Sequence, residues 1–237
     1  MALPPRRPLP PPEPGAPALG AIPPVVLVLF LALAAVEAAL SLAGMGLVGG
    51  PGSVGWRVGL IERWGVTPAL WDHLAQRGFA DGRYLPNLLL YGLVHWDAMH
   101  ALFAGALLLA LGKFVADAMG GGAMLAVFLL SLLGGAVAYG MLAPPGRPLF
   151  GAYPGVYGLI GAFTYALWLR IGREGGNRLT AFRLIAVLLA IQFAFGLLFG
   201  SDPGWIGDVG GFAAGFLVAP LLVPGGLAAL RARLRER

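Results

Sequence analysis

Three segments of the chain carry the side chains able to do chemistry. LVHWDAMHALFAGALLLALGKFVADAMG, residues 93–120, sets His95 and His100 five positions apart with Asp97 between them. GAYPGVYGLIGAF, residues 151–163, places Tyr153 and Pro154 in a glycine-rich run. GWIGDVGGFAAGFLVAPLL, residues 204–222, carries one acid, Asp208. Imidazole and carboxylate move protons and bind transition metals, and a phenol has a reference pKa near 10. Histidines five apart do not share a helical face well. His95, His100, Asp97 and Asp208 are therefore not expected to hold a metal, and no cofactor is expected. There is no cysteine, which excludes disulfides, thiolate catalysis and cysteine metal sites.

The chain that must position these groups has 237 residues, 58% hydrophobic and only 11% charged. Soluble domains carry roughly 25% charged residues, so an all-α polytopic membrane protein with the lipid bilayer as its surroundings is expected. The net charge of +5 sits in short clusters, which in a membrane protein set topology rather than bind nucleic acid. Residues 1–24 are proline-rich with Arg6 and Arg7 and read as a disordered cytoplasmic tail. The apolar run after them is too long for a signal-peptide core.

A spanning helix needs about 20 mostly apolar residues. Six runs approach this: Val25–Val48 (with Glu37 inside), Ala98–Ala116, Met124–Leu142, Pro154–Leu169, Leu184–Phe199 and Val209–Val223. Lys113, the arginines at 170, 173, 178 and 183, and the basic tail 224–237 fall on one side if both termini are cytoplasmic. The loop 49–87 breaks that pattern with Arg57, Arg63, Arg77 and Arg83. Within it VGWRVGLIERWGV reads as an interfacial helix with aromatics at headgroup depth and arginines snorkelling. His73, with no visible partner, reads as a surface residue.

In order, spacing and glycine placement the three segments resemble the rhomboid family of intramembrane serine proteases. His95 and His100 match the paired histidines that open that family's second helix. Val156, Tyr157, Gly158, Leu159 and Gly161 fit the continuation of its fourth-helix motif, and Gly207–Gly211 fall in its sixth-helix frame. The resemblance covers about residues 25–223 and implies a six-transmembrane-helix rhomboid-like bundle. His95, Gly151, Tyr157, Gly158, Gly161, Gly211 and Gly215 would be structural, the glycines allowing close helix contact.

The departures fall on the chemistry. The position of the family's nucleophilic serine holds Tyr153, followed by Pro154; the general-base histidine position holds Asp208; the oxyanion-hole asparagine position holds Ala104. His100 matches an oxyanion-hole histidine. The Trp-Arg pair frequent in the family's first loop falls near Pro86 and Asn87. A hydroxyl nucleophile needs an adjacent base, and a base works best with a pKa near the operating pH, whereas a carboxylate's reference value is about 3.9. Loss of one oxyanion donor costs about 10²–10³ in rate. The expectation is a pseudoprotease that binds transmembrane segments of client proteins without cleaving them, in a bacterial inner membrane. The alternatives are a divergent protease using Ser131, Thr164 or Ser201, and a transporter using Glu37, Asp208 and the histidines. Two readings of the replaced dyad stay open: Tyr153 as an interfacial aromatic with Asp208 as a helix cap, or the two joined by a hydrogen bond. Pro154 suits a helix start.

Overall fold

The computed structural model describes residues 20–78, 82–200, 202–226 and 235. Most of both tails, with Arg6 and Arg7, and Ser201 lie outside the described residues.

Helix α1 (Pro24–Gly44) starts on a proline, where no N–H is needed. The loop that follows contains α2 (Trp56–Trp64) and α3 (Pro68–Arg77), the latter capped by Thr67 Oγ1, which accepts the Leu70 N–H at 3.1 Å. A short α4 (Asn87–Leu90) leads to α5 (Ala98–Met119), capped by Asp97, whose carboxylate accepts the His100 N–H at 2.8 Å. Gly120, at φ 95°, is the single residue between α5 and α6 (Gly121–Leu142), and its left-handed backbone permits the reversal. Then come α7 (Tyr153–Arg173), α8 (Arg183–Phe199) and α9 (Trp205–Leu222). Among the described residues the only β pairing is a single bridge between Val66 and Leu149.

Among the described residues five segments are long and apolar enough to cross a membrane: α1, α5, α6, Arg178–Leu198 with α8, and α9. The sixth expected run, α7, is 21 residues long but is not one of the five. Tyr153, Pro154, Tyr157, Thr164, Arg170 and Arg173 dilute its apolar character. A helix enclosed by other helices needs no lipid-facing apolar surface, and every α7 residue from Pro154 to Ala162 is buried.

The enclosure rests on backbone contact. A methyl added at Gly215 would overlap the Gly158 carbonyl, one at Gly211 the Pro154 carbonyl, and one at Gly161 the Phe212 carbonyl. A methyl at Gly158 would overlap the Ser131 side chain of α6. Helices α6, α7 and α9 therefore meet with almost no side chain between them, the geometry that small residues permit in membranes. Helix α8 is the opposite case. It is the least buried of the apolar segments; Ile185 packs with Tyr157 and Ile160, while Phe193, Leu197 and Leu198 near its end are exposed.

The expectation that Arg57 snorkels to the interface is not met. Arg57 turns inward and makes a two-pronged pair with Glu37 of α1, at 2.7 and 2.8 Å. The reason is the carboxylate: a charge inside an apolar helix needs a partner, and α2 lies where its arginine reaches one. His73 is half-buried, its ring edge-on to Tyr84 at 5.1 Å, rather than a surface residue.

Candidate functional site

The segment leading into α7 is fixed from four directions. Val66 and Leu149 exchange backbone hydrogen bonds at 3.0 and 2.8 Å. The Tyr139 hydroxyl donates to the Arg147 carbonyl at 2.8 Å. Gly151 N–H donates to the Tyr91 carbonyl at 2.9 Å, and Ala152 N–H donates to His95 Nε2 at 3.2 Å. Tyr91 is itself anchored, its hydroxyl donating to the Leu132 carbonyl at 2.8 Å. Gly151 has φ 96°, and a methyl there would stand 3.2 Å from His100 Cε1 and 3.6 Å from His95 Cδ2. Only glycine lets the chain take this left-handed bend flush against both imidazoles.

His95 is fully buried, and its carbonyl accepts a 2.6 Å hydrogen bond from Arg57. Burial, with His100 close by, pushes its pKa down to about 4, so the ring is neutral and Nε2 is free to accept from Ala152. The Glu37 hydrogen bond in turn holds the Arg57 guanidinium protonated more firmly than usual. A continuous path thus runs from Glu37 through Arg57 and His95 to Ala152, the residue just before α7. Ser41 belongs to it, its hydroxyl donating to Glu37 at 2.7 Å.

Tyr153 emerges from this fixed segment and lays its ring on His100, with centroids 4.8 Å apart and planes 16° from parallel. Phe150 and His95 approach the same imidazole edge-on, at 6.3 and 5.3 Å. Asp208 lies in the first turn of α9 and is 5% exposed. Gly204 occupies the cap position and no side chain caps the helix. Asp208 Oδ2 accepts a 2.7 Å hydrogen bond from Gln192 Nε2 of α8. Among the described residues no hydrogen bond joins Tyr153 to Asp208. Tyr153 and Asp208 are thus not a tyrosine–carboxylate pair, and Asp208 is not the cap of α9. Each group has a different partner, His100 for one and Gln192 for the other.

Tyr153, His100, Gln192 and Asp208 line one cavity of about 1390 Å³ between α8, the start of α9 and the segment before α7. Small-molecule sites run to roughly 1,000 Å³, so this space admits several side chains of a polypeptide. Arg147 and Asp202, 3.7 Å apart and largely exposed, stand at its rim. Ala104 is fully buried in the core and does not line the cavity. Ser131 and Thr164 are also fully buried and away from it, and Glu37 does not line it either. Asn87, at one of the positions that replace the family's Trp-Arg pair, donates to the Arg63 carbonyl at 2.7 Å. Among the described residues no group of three or more His, Asp or Glu side chains is placed to hold a metal ion.

Gln192 escaped the sequence reading. Its signal was one amide inside the apolar run LLAIQFAFG; a polar side chain at membrane depth usually has a partner or a task.

No curated protein matches the chain. The family model described as the rhomboid domain matches residues 83–225, more than half of the chain and the whole of the cavity except Ile61 of α2. The chain belongs to the rhomboid family.

Proposed function

We propose that this rhomboid-family membrane protein binds transmembrane segments of client proteins in the cavity beside α8 and does not cleave them. In this reading α7 is a sixth span enclosed by the others. The observation that carries it is the pair of partners at the dyad positions: the Tyr153 ring is stacked on His100, and the Asp208 carboxylate is tied to Gln192. Attack by a hydroxyl on a peptide carbonyl needs a base within hydrogen-bond reach to take the proton. Among the described residues no base is hydrogen-bonded to the Tyr153 hydroxyl, and the His100 imidazole meets the face of the ring. An acyl ester of a phenol is moreover a high-energy product to form from an amide. The cavity's size and its apolar wall on α8 suit a helix rather than a small polar substrate.

The test is reconstitution of the full chain in proteoliposomes with a single-span substrate tagged at both ends. The expected result is a crosslinked complex containing intact substrate. Cleavage that disappears in Tyr153→Phe would refute the reading, and absence of any crosslink across several single-span baits would count against client binding.

A further inference from the structure

The cavity wall presents hydrogen-bond acceptors without donors. Asp208 has one oxygen occupied by Gln192; among the described residues its Oδ1 receives no hydrogen bond. The Gln192 Oε1 is buried and receives none either. Both residues line the cavity, so a carboxylate and, behind it, a shielded amide oxygen border a mostly aromatic and aliphatic space. Within the cavity lining the one cationic side chain is Arg147, and it is paired at the rim with Asp202. A buried carboxylate facing an apolar space is costly until a donor, best a cation, arrives.

Resting on the client-binding reading above, we propose that the cavity selects transmembrane segments carrying a lysine or arginine near one end, whose cation pairs with Asp208 and displaces or bridges Gln192. Depth follows from the helix. Asp208 is three residues past Trp205, which begins α9, so it lies ~4.5 Å along the axis from an aromatic of the kind that sits at the membrane interface. The matching cation is about one turn inside the client helix, within reach of a snorkelling side chain. A client with an apolar residue there leaves both acceptors unmet; a client with an acid there adds like charge. Gln192 sits on α8, an outer and lightly packed helix, so it can give way as the cation enters.

The experiment uses the full chain with a photo-crosslinking aromatic at Phe193, in vesicles of phosphatidylcholine and phosphatidylglycerol. The probes are synthetic leucine-alanine helices of about 22 residues. One has no polar residue, one has glutamate one turn from its end, and a series carries a single lysine stepped from the end to the centre. The expected result is a crosslink yield about tenfold higher for lysine one turn from the end than for the apolar helix, the scale of one interhelical polar contact in a membrane. Lysine at the centre shows no such gain, glutamate falls below the apolar helix, and Asp208→Asn brings the lysine ratio to about two or less. Equal yields for lysine and apolar helices, or a preference unchanged in Asp208→Asn, overturn the proposal. If Asp208→Asn does not fold, the depth profile in the parent chain decides it: no maximum near the end overturns it. Loss of the preference on adding phosphatidylethanolamine assigns the cation to a lipid amine and overturns it too. No crosslink with any helix overturns the client-binding reading itself, which the other outcomes leave standing.

Discussion

The Glu37–Arg57 pair is the best place to challenge the structural argument, because single and double substitutions should behave very differently. The two side chains are 10% and 19% exposed, and Arg57 contacts both Glu37 oxygens, the Ser41 hydroxyl and the His95 carbonyl. Removing one member of a fully buried pair costs about 3–5 kcal/mol because the other charge is left uncompensated. An exposed pair is worth about 1 kcal/mol or less. With the residual exposure, each of Glu37→Leu and Arg57→Met should cost about 3 kcal/mol, a shift of ~6–12 °C in Tm for a chain of this size. Replacing both removes the charges together, and a well-packed apolar pair is often neutral. The double variant should therefore return to within about 1 kcal/mol of the parent, the remainder being the His95 carbonyl deprived of its donor. Unfolding in mixed micelles, followed by tryptophan fluorescence with Trp56 and Trp64 flanking α2, measures all four proteins. Additive losses in the double variant, or single losses below about 1 kcal/mol, would refute the reasoning.

Three further outcomes follow from the same geometry. His95 is held at a pKa of about 4 when folded and about 6.5 when unfolded, so between these values the unfolded chain binds more protons; stability should be level above pH 6.5 and fall as pH drops from 6.5 towards 4, and thermal unfolding of His95→Asn should show a shallower fall over that window. Gly215→Ala, whose methyl meets the Gly158 backbone, should cost about 1–3 kcal/mol or prevent folding; Gly59→Ala, inside α2 with open space around it, should be neutral or stabilise by about 0.5–1 kcal/mol in the same unfolding assay. Gln192→Leu cuts the polar tie from α8 to α9, and hydrogen exchange of α8 amides should quicken about fivefold, for a contact of ~1 kcal/mol; unchanged exchange would mean that the tie does not hold α8.

What the sequence made legible and what it hid divide along a physical line. Helices that face lipid announce themselves, because no water is available to satisfy their backbone and the apolar run must be nearly unbroken. Helix α7 is the exception: bundled on all sides, it tolerates tyrosines, glycines and terminal arginines that lower its apolar content. Contacts decided by helix rotation were hidden. VGWRVGLIERWGV shows which residues share a face but not whether the arginine on it meets water or a carboxylate. Glu37 held the clue, since an acid within a span requires a partner, and Arg57 is the first arginine after it in the chain. Gln192 was hidden for the same reason. Its meeting with Asp208 depends on how α8 is turned against α9, and nothing in either segment alone sets that rotation.

The site shows the same division at closer range. The resemblance put Tyr153 and Asp208 at the two dyad positions, and both line one cavity. It did not determine their partners, which are set by the segment before α7. The hydrogen bonds to Tyr91 and His95 and the bend at Gly151 fix where α7 begins, and from there the Tyr153 ring falls on His100. Had the phenol reached Asp208, the carboxylate would have been satisfied twice, by Tyr153 and by Gln192. Because it does not, one carboxylate oxygen has no donor among the described residues, beside a space large enough for part of a helix. In the proposed reading, the residues at the dyad positions do more than replace a nucleophile. They leave an acceptor facing the cavity, and the segment that fills that cavity best is one that brings a cation to it.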